Sequence, residues 1–289
     1  MTSQSEIIEI FWSLLGPWQY LYIVLTFLPN TILRLLKAGN IKSLFSWSLL
    51  KHAWFSAFWK VAGPRIRQRN GPRITALLNG RVTNARVVDD QVTPGVGGVV
   101  LDIGPGSGSW VDVYAEVRDG GASIQKIYGV EPGFEAHGQL SKSIREAGLE
   151  DLYEILPVGV DALEGVKVKG DHYRDQQLRK ESVDCIVSFL CLCSIPEPEK
   201  NIAELYSYLK KGGRWYVFEH VRIQGNRPMQ LYQAFVNIFW PHFVGGCQLC
   251  KDTGRYLREA GPWETIDIAQ PPEEVWHQTV PHILGTLTK

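Results

Sequence analysis

The run Val99-Val100-Leu101-Asp102-Ile103-Gly104-Pro105-Gly106-Ser107-Gly108 constrains the fold more than any other part of the chain. Its first five residues read as an apolar strand, and the three glycines that follow let the backbone turn sharply and approach a bound molecule closely. The spacing is G-x-G-x-G, with Ser109 where a dinucleotide-binding G-x-G-x-x-G turn has its third glycine. Asp102, two residues before the first glycine, is also foreign to that fingerprint. It suits a ligand that carries a cationic amino group rather than a pyrophosphate.

Four further elements follow in order. Tyr128-Gly129-Val130-Glu131 puts an acid at the end of the next strand, 25 residues beyond Gly106, where a carboxylate can accept from both hydroxyls of a ribose. Asp161, in Val160-Asp161-Ala162-Leu163, follows a third strand and can accept from an adenine amino group. Val183–Leu190 reads as a buried strand entering the site, and Leu209-Lys210-Lys211-Gly212-Gly213-Arg214 as the turn before a fifth. Strands are expected at Val99–Ile103, Lys126–Val130, Tyr153–Val158, Ser182–Leu190 and Gly213–Phe218, with helical patterns between them and a terminal strand pair at Trp263–Ala269 and His282–Leu287. Strands alternating with helices imply right-handed crossovers and a mostly parallel sheet.

The amino-terminal part is of another kind. Ile10 to Leu33 holds 24 residues without a charge, which as one helix would cross a hydrocarbon core about 30 Å thick. Pro17 and Pro29 are expected to break or kink it. No basic residues precede it and no small-residue cleavage site follows, so it does not read as a signal peptide. Ile41 to Ala62 mixes Trp47, Trp54, Phe58 and Trp59 with Lys42, Lys51 and Lys60, the composition of a helix lying in a membrane interface. Net charge is zero, yet residues 1–80 carry nine Lys/Arg against two acids. Basic charge interleaved with Trp, Phe and Leu fits a membrane surface better than nucleic acid. Membrane association is therefore expected, with the catalytic part on the cytoplasmic side, for instance of the endoplasmic reticulum. The alternatives are a lid over the active site of a soluble enzyme or a plain solvated helical face. The expected organisation is anchor or lid helices over 1–62, a Gly/Pro-punctuated linker over 63–98, and a catalytic domain over 99–289.

Five cysteines at irregular spacings do not make a disulfide scaffold and point to a reducing compartment. Cys247-x-x-Cys250 resembles half a zinc site, but no second ligand pair stands at the usual spacing, so no metal is expected.

The five elements over residues 99–218 together resemble class I S-adenosylmethionine-dependent methyltransferases of the UbiE-like branch. Cys191-Leu192-Cys193-Ser194, Phe218-Glu219-His220-Val221, Gly246-Cys247-Gln248-Leu249 and Pro281-His282-Ile283-Leu284-Gly285 further resemble the membrane-associated, methyltransferase-like thiol methyltransferases and related fungal natural-product O-methyltransferases. Pro105 departs from the small residue common at its position. The resemblance implies an α/β, Rossmann-like fold: a seven-stranded, mostly parallel sheet with an antiparallel last strand, here with amino-terminal hydrophobic helices added. It implies S-adenosylmethionine as cofactor, held by Asp102, Gly104, Gly106, Gly108, Glu131 and Asp161. In that topology His220 ends the fifth strand and His282 begins its antiparallel neighbour, so both should meet near the transferred methyl and are the candidate catalytic residues. His242 and His277 are weaker candidates, and Cys191 and Cys193 read as walls of an apolar pocket. The expected reaction is methylation of a lipophilic small molecule, foremost a hydroxyl of a polyketide-like secondary metabolite. S-methylation of a small thiol is the first alternative, and a non-catalytic membrane scaffold the second.

Overall fold

In the computed structural model, which describes residues 4–169 and 175–289, the chain opens with helices α1 (Gln4–Thr26), α2 (Leu28–Lys37), α3 (Ile41–Phe45) and α4 (Trp47–Leu78). Pro29 stands in the first turn of α2, where a missing N–H costs nothing, and the break between α1 and α2 falls there. Of the break or kink expected at Pro17, a break does not occur: α1 runs through Pro17, which is buried. Nor does Gly63-Pro64 open an unstructured linker. α4 continues through Pro64 and Pro72 because both of its halves are packed: Trp54 and Phe58 on one, Ile74, Leu77 and Leu78 on the other. Gly63 serves close approach instead. A Cβ there would lie 2.5 Å from the Ser109 hydroxyl, so α4 passes hard against the glycine turn.

A small hairpin, β1 (Val82–Thr83) and β2 (Arg86–Val87), leads into β3 (Gly98–Ile103). Then follow α5 (Val111–Asp119), β4 (Ile124–Val130), α6 (Phe134–Glu146), β5 (Tyr153–Leu156) and a second short hairpin, β6 (Lys167–Lys169) and β7 (Asp175–Gln177). The chain continues through β8 (Val183–Phe189), α7 (Pro198–Tyr208), β9 (Leu209–His220), α8 (Arg227–Phe243), α9 (Thr253–Glu259), β10 (Thr265–Ala269) and β11 (His282–Thr288). Among the described residues the main sheet has seven strands in the order β10-β11-β9-β8-β3-β4-β5, with β11 antiparallel to both of its neighbours and β5, β4, β3, β8 and β9 mutually parallel. The expected turn at Leu209–Arg214 is a bulge inside β9, marked by the register shift opposite Val183 and Cys185.

Both faces of the sheet are covered, as a parallel sheet requires. Val100, Ile127, Val187 and Phe218 pack under α4, α5 and α6, while Leu101, Val130, Ile186 and Val217 pack under α7 and α9. α8 and α1 lie together at one end. Trp18 sits against Phe235 and Phe239, Tyr20 stacks on Trp240 at 5.2 Å, and Trp54 of α4 donates to the Val24 carbonyl at 2.7 Å. The helical stretch Gln4–Lys37 is long and apolar enough to cross a membrane, yet one flank of it is packed on α4 and α8.

Gly129 has no room for a side chain. The Tyr153 ring crosses it to donate a 2.7 Å hydrogen bond to Asp102, and a Cβ on Gly129 would lie 2.4 Å from the Tyr153 hydroxyl. Gly138 of α6 is exposed, with nothing within 4 Å of its would-be Cβ. The two glycines should therefore respond oppositely to alanine in thermal or urea unfolding. Gly129→Ala is expected to destabilise by about 1–3 kcal/mol through overpacking, and Gly138→Ala to stabilise by roughly 0.5–1 kcal/mol through helix propensity.

Candidate active site

The carboxyl ends of β3, β4, β8 and β9 converge on one edge of the sheet, and the glycine turn sits at its centre. Gly104, Gly106 and Gly108 all have positive φ, at 63°, 57° and 83°, a region that side chains other than glycine occupy at a cost. Their surroundings differ. A Cβ on Gly104 would strike the Cβ of Cys191, and one on Gly108 would strike Ser143, so these two glycines pack the turn against its neighbours. Among the described residues nothing lies within 4 Å of a Cβ built on Gly106, which leaves room for a ligand along the backbone.

Glu131 locks this turn to the end of β4. Its carboxylate accepts from the Gly106 N–H at 2.8 Å and from the Gly133 N–H at 2.7 Å, and the His137 ring is 2.8 Å from its carbonyl. Burial pushes the carboxyl up, and the two N–H donors, with His137 and with His52 of α4, pull it back. The oxygens retain lone pairs for hydroxyl donors. Asp161 is exposed on a single 3₁₀ turn, Val160–Ala162, beyond β5. Asp102 lies beneath the turn at 5% exposure, bonded by Tyr153. Burial raises its carboxyl to about 6, against the hydrogen bond from Tyr153. A glycine cradle, an acid at its rim and a second acid beneath fit a nucleoside with an aminoacyl end.

The other end of the edge holds the histidines. Strand register sets His282 directly opposite His220, as the topology implied, with ring centroids 6.5 Å apart. Each ring is engaged. His282 Nδ1 lies 2.6 Å from Glu274, which also accepts from the His282 N–H at 2.8 Å. His220 Nε2 lies 2.9 Å from the sulfur of Cys247, which Trp240 Nε1 approaches as donor at 3.1 Å. Cys193 completes a buried cluster in which the ligating atoms of Cys193, His220 and Cys247 all lie within 4.8 Å of one another. Burial by itself would lower His220, but the adjacent Cys193 and Glu219 outweigh it and the ring is raised. Cys193 is held well below the usual thiol range by the hydrogen bond from Cys247 and, after it, by the charge of His220, whereas burial and Cys193 push Cys247 up. His277 is buried elsewhere, its carbonyl accepting from Ser13 of α1, and His242 is exposed at the end of α8.

Sequence reasoning did not find Cys247 with Cys193, nor Glu219, Trp240 and His52. The partner of Cys247 is not Cys250, three residues on, but two side chains from other segments. Glu219 accepts from the N–H groups of Cys191 and Leu192 at 3.1 Å and from the Cys191 thiol at 3.3 Å, and so shapes the loop after β8. For Cys193, Glu219 and Cys247 the signal was that their segments carried the resemblance; Trp240 and His52 lie outside those segments.

A parallel sheet ending in a glycine cradle, an acid on the following strand and an antiparallel last strand define the class I methyltransferase architecture. Residues 79–259 match the methyltransferase-domain family, and the chain belongs to that family. Over 114 residues, 39% of this chain, it is 33% identical to the thiol S-methyltransferase TMT1B of Rattus norvegicus. It is 29% identical over 114 residues to the thiol S-methyltransferase TMT1A of Homo sapiens. These matches span 47% and 46% of the relatives, about half of their length. The fold is also similar to that of an O-methyltransferase family protein from Burkholderia thailandensis, with a TM-score of 0.54 at 10% identity over 91% of this chain and 71% of that one.

Glu219 gives the site a pH signature. It is fully buried, its Oε2 has no hydrogen-bond partner among the described residues, and burial followed by Cys193 raises its carboxyl from 4.5 to about 8. An acid that binds its proton more tightly in the folded state loses stability as pH rises from the unfolded to the folded value. Unfolding midpoints should therefore fall between about pH 4.5 and 8 in the wild type. Glu219→Gln, which can keep the Oε1 contacts, should flatten that slope; an unchanged slope would place the titration elsewhere.

Proposed function

We propose that this enzyme methylates the sulfur of a lipophilic small-molecule thiol at a membrane surface. The observation that carries the reading is the state of the His220 ring: its Nε2 is held at 2.9 Å by Cys247, and its Nδ1 is buried, so neither nitrogen is open to deprotonate an acceptor. A thiol, with a pKa of about 8.5, arrives partly ionised, whereas a phenol at about 10 gains more from a base. The likeness to proteins named thiol S-methyltransferases supports the same acceptor.

S-adenosylmethionine supplies a methyl group on a sulfonium, open to in-line displacement. In this reading Glu131 accepts from the ribose hydroxyls, and Gly104, Gly106 and Gly108 admit the ligand to the backbone. Asp161 accepts from the adenine amino group, and Asp102 sets the turn and presents negative charge to the amino-acid end. His220 and His282 shape the acceptor end rather than relay protons. Positioning two reactants is worth up to roughly 7–11 kcal/mol, which suffices where the nucleophile is already strong.

One observation favours a second reading, the hydroxyl of a polyketide-type metabolite. Glu274 orients the His282 imidazole from Nδ1 at 2.6 Å, the arrangement that prepares a histidine as a base through its other nitrogen. Methyl-labelled S-adenosylmethionine offered with lipophilic thiols and with phenols separates the two. The expected outcome is label on sulfur, with kcat/KM for thiols at least about tenfold above that for phenols. Glu131→Ala is expected to weaken cofactor binding by roughly tenfold or more, since each charged hydrogen bond is worth about 1.5–3 kcal/mol. Labelled phenols with untouched thiols would overturn the sulfur reading in favour of the second.

Membrane attachment in this reading involves more than α1. Ile7, Ile8, Phe11 and Trp12 are exposed on α1, and Leu231, Phe235 and Ile238 on the adjoining α8. The two helices offer apolar side chains to a bilayer while their inner faces cap the site, so anchor and lid are one structure. Leu231→Glu combined with Ile238→Glu should reduce sedimentation with anionic vesicles by tenfold or more, each buried side chain being worth about 1.5–3 kcal/mol. Cofactor affinity should be unchanged; vesicle binding equal to wild type would restrict the contact to α1.

A further inference from the structure

We propose that Cys193, His220 and Cys247 form a three-ligand zinc site whose fourth position receives the sulfur of the acceptor. The metal site stands on geometry alone; the acceptor at the fourth position rests on the thiol reading above.

The three residues come from separate rigid places: the loop after β8, the last residue of β9, and the loop after α8. All three are buried, and their ligating atoms lie within 4.8 Å of one another. Zinc–sulfur and zinc–nitrogen bonds of about 2.3 and 2.0 Å in a tetrahedron separate ligand atoms by roughly 3.5–3.8 Å. The His220–Cys247 contact at 2.9 Å must therefore open by well under an ångström. Two sulfurs and an imidazole are the donor set of a soft or borderline cation, not of magnesium or calcium. The surroundings hold the ligands in place. The Gln248 N–H donates to the Cys193 carbonyl at 3.1 Å and so ties the two cysteine loops together. Asn237 braces the same segment, accepting from the Leu249 N–H and donating to the Gln248 side chain. Trp240 Nε1 directs an N–H at the Cys247 sulfur at 3.1 Å, an outer-shell bond that suits a thiolate ligand. A Cys2His set with an open vertex is a catalytic arrangement for zinc.

The cluster also adjoins the cofactor turn, since Cys191, two residues before Cys193, packs on Gly104. A thiol that binds zinc gives its proton to solvent. Its sulfur pair then forms the new carbon–sulfur bond as the carbon–sulfonium bond breaks, and that electron pair leaves on the cofactor sulfur. The product thioether is neutral and a weaker ligand, which lets it depart.

The test measures zinc by elemental analysis in full-length protein equilibrated with zinc chloride and freed of excess. About one zinc per chain is expected in the wild type and in Cys250→Ser, with more than tenfold weaker retention in Cys193→Ser and Cys247→Ser. Should those variants fail to fold, the wild type decides: Cys193 and Cys247 should resist iodoacetamide until a chelator is added. Cobalt-loaded protein should show thiolate charge-transfer absorption that shifts when an alkyl thiol is added. Wild type that retains no zinc, or zinc that persists in Cys193→Ser, overturns the site. An unshifted cobalt spectrum overturns the acceptor's place at the fourth position. Thiol methylation by zinc-free protein removes the acceptor from the fourth position and leaves the thiol reading standing; zinc retained without any thiol product overturns the thiol reading and leaves the metal site standing.

Discussion

The register of β3 between β4 and β8 is the constraint from which the site follows. Ile103 pairs with Val130 on one side and Ser188 on the other, and Phe189 pairs in turn with Phe218. These backbone ladders make the carboxyl ends of four parallel strands level. Gly104, Glu131, the loop carrying Cys191 and Cys193, and His220 therefore reach one edge at one height. A shift of one residue in any pair would turn alternate side chains to the opposite face. It would send His220 under the sheet and Glu219 to the sulfur cluster.

Polar groups at that edge are tied in pairs, and each pair joins two segments. Glu131 binds the β3 turn to the β4 turn, Tyr153 binds β5 to Asp102, Glu219 holds the loop after β8, and Cys247 meets His220 and Trp240. Buried polar atoms need partners, because an unmet donor or acceptor costs about 1–3 kcal/mol. The residues that build the site are therefore also residues on which its stability depends. Loss of one side chain disturbs shape as well as chemistry, and conservative replacements such as Glu219→Gln report more than truncations do.

The amino-terminal helices are joined to this edge rather than appended to it. Tyr20 stacks on Trp240, Trp240 reaches the Cys247 sulfur, and α4 brings Gly63 against the glycine turn and His52 toward Glu131. The apolar outer surface of α1 and α8 is thereby two side chains away from the sulfur cluster. The same packing means that removal of α1 would uncover Trp240 and the sulfur cluster beneath it.

Features written in contiguous residues were legible from the chain alone. Val99–Gly108 carries its own strand and turn chemistry, Glu131 ends a strand with an unmistakable apolar approach, and alternation of strands with helices limits the sheet to a few topologies. Topology then sufficed to bring His282 beside His220, because an antiparallel neighbour must begin where its partner ends. Local signals misled where packing outweighed propensity, as at Pro64 and Pro72, where α4 persists because buried side chains on both sides hold it. The sulfur cluster was invisible for a different reason. Cys193, His220 and Cys247 stand 27 residues apart in succession, on a loop, a strand end and another loop. No spacing rule joins them, and their distances exist only once β8, β9 and α8 have closed over one another. Local backbone chemistry thus determined the glycine turn and the acid that locks it, whereas long-range packing decided what gathers around His220.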